Sequence, residues 1–184
     1  NHWFLGREKT IAAILERPWI AGSFQWSGIE HRGETVWPRL CSASGAVDLF
    51  LNKKDAFYQN KSLWTKAPMV HILPTWNMPE REGETVRVVV YTNCESVELF
   101  QDGRSVGKQV VKPVSHAEWN ICYKPGRLTA VGVKNGSEVS ETIETSGAAE
   151  ELKLEIVSEM PVSGKRDAVL IKCSCSDGVG RFVP

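Results

Sequence analysis

The strongest constraint in this chain is a change of period. From Thr85 onward apolar residues recur at every second position, and Val86, Val88 and Val90 fall on one face of "ETVRVVVYT", the spacing of a half-buried strand. Turn dipeptides punctuate the next 60 or so residues at the spacing of short strands. Asp102-Gly103 sits inside "SVELFQDGRSVG", a hairpin pattern, and Pro125-Gly126 and Asn135-Gly136 divide "AEWNICYKPGRLTAVGVKNGSEVSETIET" into three further strands. About seven short strands in roughly 80 residues predict an immunoglobulin-like β-sandwich, because turn signals recur at the spacing that such folds require.

Upstream the period is different. In "EKTIAAILE", residues 8–16, Ile11, Ile14 and Leu15 share a helical face, and Pro18 should end the helix at Arg17. The run "WIAGSFQW", 19–26, is short and mostly apolar, as expected for a strand buried on both faces. From Ser44, Val47, Phe50, Leu51, Phe57, Tyr58 and Trp64 follow helical spacing, which predicts one long amphipathic helix. Helix, buried strand, polar loop and helix make an α/β unit, the repeating element of a (β/α) barrel. The three prolines of "KAPMVHILPTWNMPEREGE" mark a boundary near Lys66, and "SGAAEE", 146–151, marks a second. Beyond it Leu152, Leu154 and Ile156 alternate, then Val169, Ile171 and Cys173, with a turn at Asp177-Gly178. Three strands in this space are too few for a sandwich of about 100 residues. The expected division is therefore 1–65, 66–146 and 147–184.

Composition removes several classes of function. Lys plus Arg and Asp plus Glu number 22 each, so the chain lacks the basic excess that selects nucleic acid or anionic membrane as a partner. No apolar run approaches the roughly 20 residues of a membrane span. The first residues have no signal-peptide pattern. The chain does not open on Met, so a targeting segment further upstream stays open, with a periplasmic or secreted location favoured over the cytoplasm. Five cysteines at irregular spacing predict free, structural thiols rather than a disulfide framework. Cys173 and Cys175 should share one strand face, and His2, His71 and His116 stand singly, without the spacing of a metal pair.

The residues that suggest a site follow the apolar run 19–26. Trp26 ends it, and the C-terminal ends of barrel strands carry barrel active sites. An indole there offers an apolar wall to the C–H face of a ligand and an N–H to a hydroxyl. The alternative is packing beneath the next helix. Glu30, His31, Arg32 and Glu34 follow in the loop. Glu30 suits either a hydroxyl contact or a loop ion pair with Arg32, and Glu34 and Trp37 suit either a pocket rim or ordinary solvated surface. Trp64, Trp76 and Trp119 are expected to pack.

Three stretches, "RPWIAGSFQWSGIEHRGE", "WPRLCSASGAVDLFLNKKDAFYQNKSLW" and "VHILPTWNMPEREGETVRVVVYTNCESVELFQDGRSVG", resemble consecutive pieces of the bacterial β-galactosidases of glycoside hydrolase family 2. The resemblance covers nearly the whole chain. It implies a mainly β fold: residues 1–65 as the end of a (β/α)8 catalytic barrel, 66–146 as an immunoglobulin-like sandwich, and 147–184 as the start of another. It implies hydrolysis of terminal β-galactosides with retention, an oligosaccharide substrate, and a parent able to form a homo-oligomer; no cofactor is expected, and the spacing of Cys and His predicts no metal site. Retention uses two Glu carboxylates about 5–5.5 Å apart. The resemblance puts both on strands upstream of Asn1, so no residue of this chain is expected to be catalytic. It also puts a Trp at the position of Trp26 in the sugar pocket, and often an Asp-Tyr pair where this chain has Glu30-His31. Substrate-binding candidates are therefore Trp26, Glu30, His31 and Glu34. Two other classes of function remain: a carbohydrate-binding module with sugar on Trp76 or Trp119, and a structural immunoglobulin-like array.

Overall fold

The computed structural model describes residues 2–158, 162, 164 and 168–184, with side chains from Gly6 onward. Among these residues two α-helices, α1 (His2–Leu15) and α2 (Asp55–Trp64), precede ten strands. These are β1 (Val70–Leu73), β2 (Thr85–Thr92), β3 (Ser96–Gln101), β4 (Arg104–Val110), β5 (Ala117–Cys122), β6 (Arg127–Lys134), β7 (Ser137–Glu144), β8 (Glu151–Ile156), β9 (Ile171–Ser176) and β10 (Phe182–Val183). The chain is mainly β. All strand pairs are antiparallel, in three sheets of order β1-β2-β5, β4-β3-β6-β7 and β10-β9-β8.

The first two sheets enclose one core between them. Val86, Val88 and Val90 of β2 meet Val97 and Leu99 of β3 and Leu128 and Ala130 of β6, all buried. Burying each of the larger side chains stabilises the fold by about 1.5–3 kcal/mol over leaving it in water. Trp76 and Trp119 belong to this core, as their packing reading requires. The Trp76 indole donates to the Lys124 carbonyl at 3.1 Å and meets the Tyr123 ring edge-on at 4.7 Å. Both lie too deep to carry sugar. The expected hairpins form: Asp102-Gly103 joins β3 to β4 and Asn135-Gly136 joins β6 to β7, with positive φ at all four residues, the type I′ signature.

The region before β1 departs from expectation in two places. Residues 19–26 form no strand, and Trp19 and Phe24 are exposed. A strand buried on both faces needs a neighbour along each edge, and among the described residues β1 to β10 pair only with one another. The long helix expected from Ser44 begins only at Asp55. The Asp48 carboxylate captures the backbone N–H groups of Phe50 and Asn52, each at 2.8 Å, and Leu51 takes φ 64°. Such local side-chain bonds compete with helix, and Phe50 and Leu51 are left exposed. Trp64, expected to pack, is exposed at the end of α2.

The helices are tied to the sandwich by histidine–carboxylate pairs. Glu8 of α1 bonds His116 Nδ1 at 2.7 Å. The other ring nitrogen lies 3.4 Å from Glu118, which also accepts from Arg87 at 2.5 Å. On α2, Tyr58 stacks on His71 with centroids 3.5 Å apart, and His71 lies 3.0 Å from Glu141 of β7. Arg7 links the helices by donating to the Ala56 carbonyl.

The third sheet joins the sandwich through Asp177. Its carboxylate accepts from the backbone N–H of Gly147, Val179 and Arg181, and from the Arg181 guanidinium. These donors, Gly147 first, hold the carboxyl well below the usual carboxylate range. One face of this sheet, with Leu152, Leu154, Ile156 and Ile171, is exposed. Cys173 and Cys175 share it, opposite Leu154 and Leu152. All five cysteines are free thiols, of which Cys94 alone is buried, so the expectation of core thiols holds for that residue only.

Candidate functional site

The segment from Trp26 to Lys54 folds through backbone bonds rather than regular elements. Ala46 N–H reaches the Ser27 carbonyl at 3.1 Å, Glu30 N–H reaches Val47 at 3.0 Å, and Ser42 N–H reaches His31 at 2.8 Å. Isolated bridges join Ile29 to Val47, Arg32 to Cys41 and Val47 to Lys53. Ser27 and Ser42 are buried and bonded: Ser27 Oγ donates to the Ile29 carbonyl at 2.9 Å, and Ser42 Oγ accepts from His31 N–H at 3.3 Å. Small hydroxyl residues thus satisfy the turns, and the larger side chains between them point outward.

On this base Trp26 is 71% exposed. His31 meets it edge-on, with centroids 5.4 Å apart and planes at 64°. Behind the imidazole, Glu34 Oε2 lies 3.6 Å from His31 Nε2, and the Glu34 side chain is largely in solvent. The structure therefore brings Trp26, His31 and Glu34 together. They form a flat apolar face beside a ring that can donate or accept and a carboxylate able to orient it.

Glu30 does something else. Its side chain is 16% exposed, and its carboxylate takes the Lys54 ammonium at 2.5 Å. Lys54 also donates to the Ala43 carbonyl at 3.1 Å and, through its backbone, to Ala46. The pair stitches three passes of the loop together. An ion pair is among the expectations for Glu30, with Arg32 as its partner; the partner observed is Lys54. Sequence reasoning misses Lys54, since it stands 24 positions away with no periodic relation to Glu30. Trp37, the other rim candidate, is exposed on the same loop.

Two clefts lie elsewhere on the described residues. An open cleft of 570 Å³ is lined by residues of β3, β6, β7 and the turn between β9 and β10, and a shallower one of 400 Å³ lies along α1. Among the described residues no group of His, Cys, Asp and Glu could hold a metal ion, and no helix is long and apolar enough to cross a membrane.

Comparison with known proteins adds the family. A family model described only as a domain of unknown function, DUF4982, matches residues 83–140, from just before β2 into β7. The chain is 31% identical over 189 residues to a β-glucuronidase of Formosa agariphila, covering 100% of this chain and 18% of that protein. It is 28% identical over 188 residues to a β-galactosidase of Bacteroides ovatus, covering 99% of this chain and 22% of that protein. Among solved structures, a β-glycosidase from Bacteroides vulgatus matches with TM-score 0.84 at 33% identity, over 94% of this chain and 22% of that one. A glycosyl hydrolase family 2 member from Bacteroides cellulosilyticus matches with TM-score 0.82 at 27% identity, over 95% of this chain and 26% of that one. The chain thus spans about a fifth of the length of the curated relatives it matches. These relatives and structural neighbours are glycoside hydrolase family 2 glycosidases, and the chain corresponds to a partial region of them.

Proposed function

We propose that this chain is a C-terminal part of a retaining β-galactosidase, to which it contributes one wall of the sugar pocket. Residues 1–65 are the end of the catalytic barrel, 66–146 an immunoglobulin-like sandwich, and 147–184 the opening of a further one. Both catalytic Glu residues stand on another part of the enzyme. Trp26 forms the wall against the C–H face of the terminal sugar, with His31 and Glu34 beside it for hydroxyl contacts. Glu30 holds the loop through Lys54. The exposed Trp26–His31 pair carries this reading: a bare indole backed by a polar ring suits a sugar better than it suits a core.

A β-glucuronide is the second reading for the substrate, favoured by the several β-glucuronidases among the relatives. The parent glycosidase with Trp26→Ala tests the site. Assayed on nitrophenyl β-galactoside and nitrophenyl β-glucuronide, the variant should show a raised KM on the substrate that the unaltered enzyme prefers. An unchanged KM would remove Trp26 from the pocket. The isolated chain should hydrolyse neither compound, and turnover by it would overturn the domain assignment.

A further inference from the structure

The open cleft on the far side of the sandwich has no part in the Trp26 site. Its floor is the outward face of the four-stranded sheet, where Phe100, Thr129 and Thr142 stand in one cross-strand row. Leu99 and Ala130, the adjacent row, point into the core. One aromatic ring thus stands on this outward face, which Val131 and Val133 share further along, and it lines a cavity of 570 Å³ with Asp102, Arg127, Thr129, Glu144 and Arg181. That volume lies in the range of small-ligand sites, which favour junctions between structural units. Arg181 reaches in from the turn between β9 and β10.

The polar groups are fixed before any ligand arrives. Arg127 Nε donates to Glu144 at 2.5 Å, and Arg181 Nε donates to Asp177 at 2.8 Å, which sets both guanidinium planes. The Thr129 and Thr142 hydroxyls lie 2.9 Å apart, and the Asp102 carboxylate is held by the Arg127 backbone N–H at 2.8 Å. Two acids, Asp102 and Glu144, balance two bases, Arg127 and Arg181, along the lining. A cleft with balanced charge, planar donors and acceptors, and one aromatic surface matches a neutral polyhydroxyl ligand. A strongly charged ligand would face like charge on part of the wall. We propose that this cleft is a non-catalytic binding site for a neutral oligosaccharide, with Phe100 under the C–H face of one ring. The assignment is independent of the Trp26 pocket, because no residue is shared.

The test is a titration of the 184-residue chain with lactose and galactobiose, with glucuronic acid as the charged contrast, read by amide chemical shifts and calorimetry. Millimolar binding of a neutral disaccharide is expected, with shifts at residues 100–103, 126–129, 142–144 and 181. Phe100→Ala and, separately, Thr129→Val should each weaken it about tenfold, at unchanged melting temperature. The two variants are needed together in case one fails to fold. No shifts with either disaccharide, shifts mapping to the Trp26 loop instead, or tighter binding of glucuronic acid would each overturn the proposal. None of these results depends on catalysis, so they leave the reading of the Trp26 pocket to its own assay.

Discussion

Gly45 is the tightest point of the loop that carries Trp26. A Cβ on Gly45 would press into the backbone N of Glu30 and the carbonyl of Val47, neither of which can swing aside. A Cβ on Gly28, in the same loop, would meet nothing within 4 Å. Gly45→Ala should therefore destabilise the loop by about 1–3 kcal/mol, the usual cost of overpacking, while Gly28→Ala stays near neutral. Denaturation followed by Trp fluorescence checks the pair, and equal stability of the two variants would contradict the packing described. At this scale the candidate site is only half legible in the sequence. Trp26 and His31 can be singled out because an aromatic and an ionisable ring after an apolar run are visible in one dimension. The commitment of Glu30 to Lys54 cannot, because it depends on a loop path set by Gly45, Ser42 and Ser27.

Among the elements, α1 has a docking contact that titrates. His116 is faced by Glu8 from α1, by Tyr91 from β2 and by Glu118 from β5, whose carboxylate also accepts from Arg87 of β2. The bond to Glu8 raises the imidazolium above its ordinary pKa, against the opposing effect of burial, with Glu118 assisting. In the unfolded chain the group titrates near ~6.5. The pair therefore stabilises the docked helix fully below that pH, and the contribution is lost as pH rises through the higher folded value. Hydrogen-exchange protection of α1, corrected for intrinsic rates, should fall over that window, and His116→Gln should abolish the dependence. A pH-independent α1 in the unaltered chain would refute it. The hairpins need no such tertiary argument, since Asp102-Gly103 and Asn135-Gly136 dictate their own turns. The stretches 19–26 and 44–54 mislead a reading by period because their apolar residues carry the right spacing without the partners that would bury them. In the second, Asp48 also offers the backbone a local alternative to helix.

Across the molecule, burial is concentrated between two of the three sheets. Val88, Val90, Val97, Leu99, Leu128 and Ala130 are sealed there, while Trp19, Phe24 and Trp37 on one side and Leu152, Leu154 and Ile171 on the other remain in solvent. Free energies of local opening follow buried contacts, so the chain should not behave as one cooperative unit. Amides of β2, β3 and β6 should exchange only on global unfolding. Those of residues 18–54 and of β8 and β9 should exchange through smaller openings, at denaturant concentrations where the sandwich is intact. The exposed apolar sets should also bind a hydrophobic dye in the native state, as large uncovered patches do. Uniform protection of all three regions, with no dye bound, would mean that the loop and the third sheet are held by more than the contacts that join them to the sandwich. The Asp177 clamp allows a sharper comparison. Asp177→Asn weakens the acceptor for Gly147 and Arg181, and should accelerate exchange in β8 and β9 while β2, β3 and β6 keep their protection.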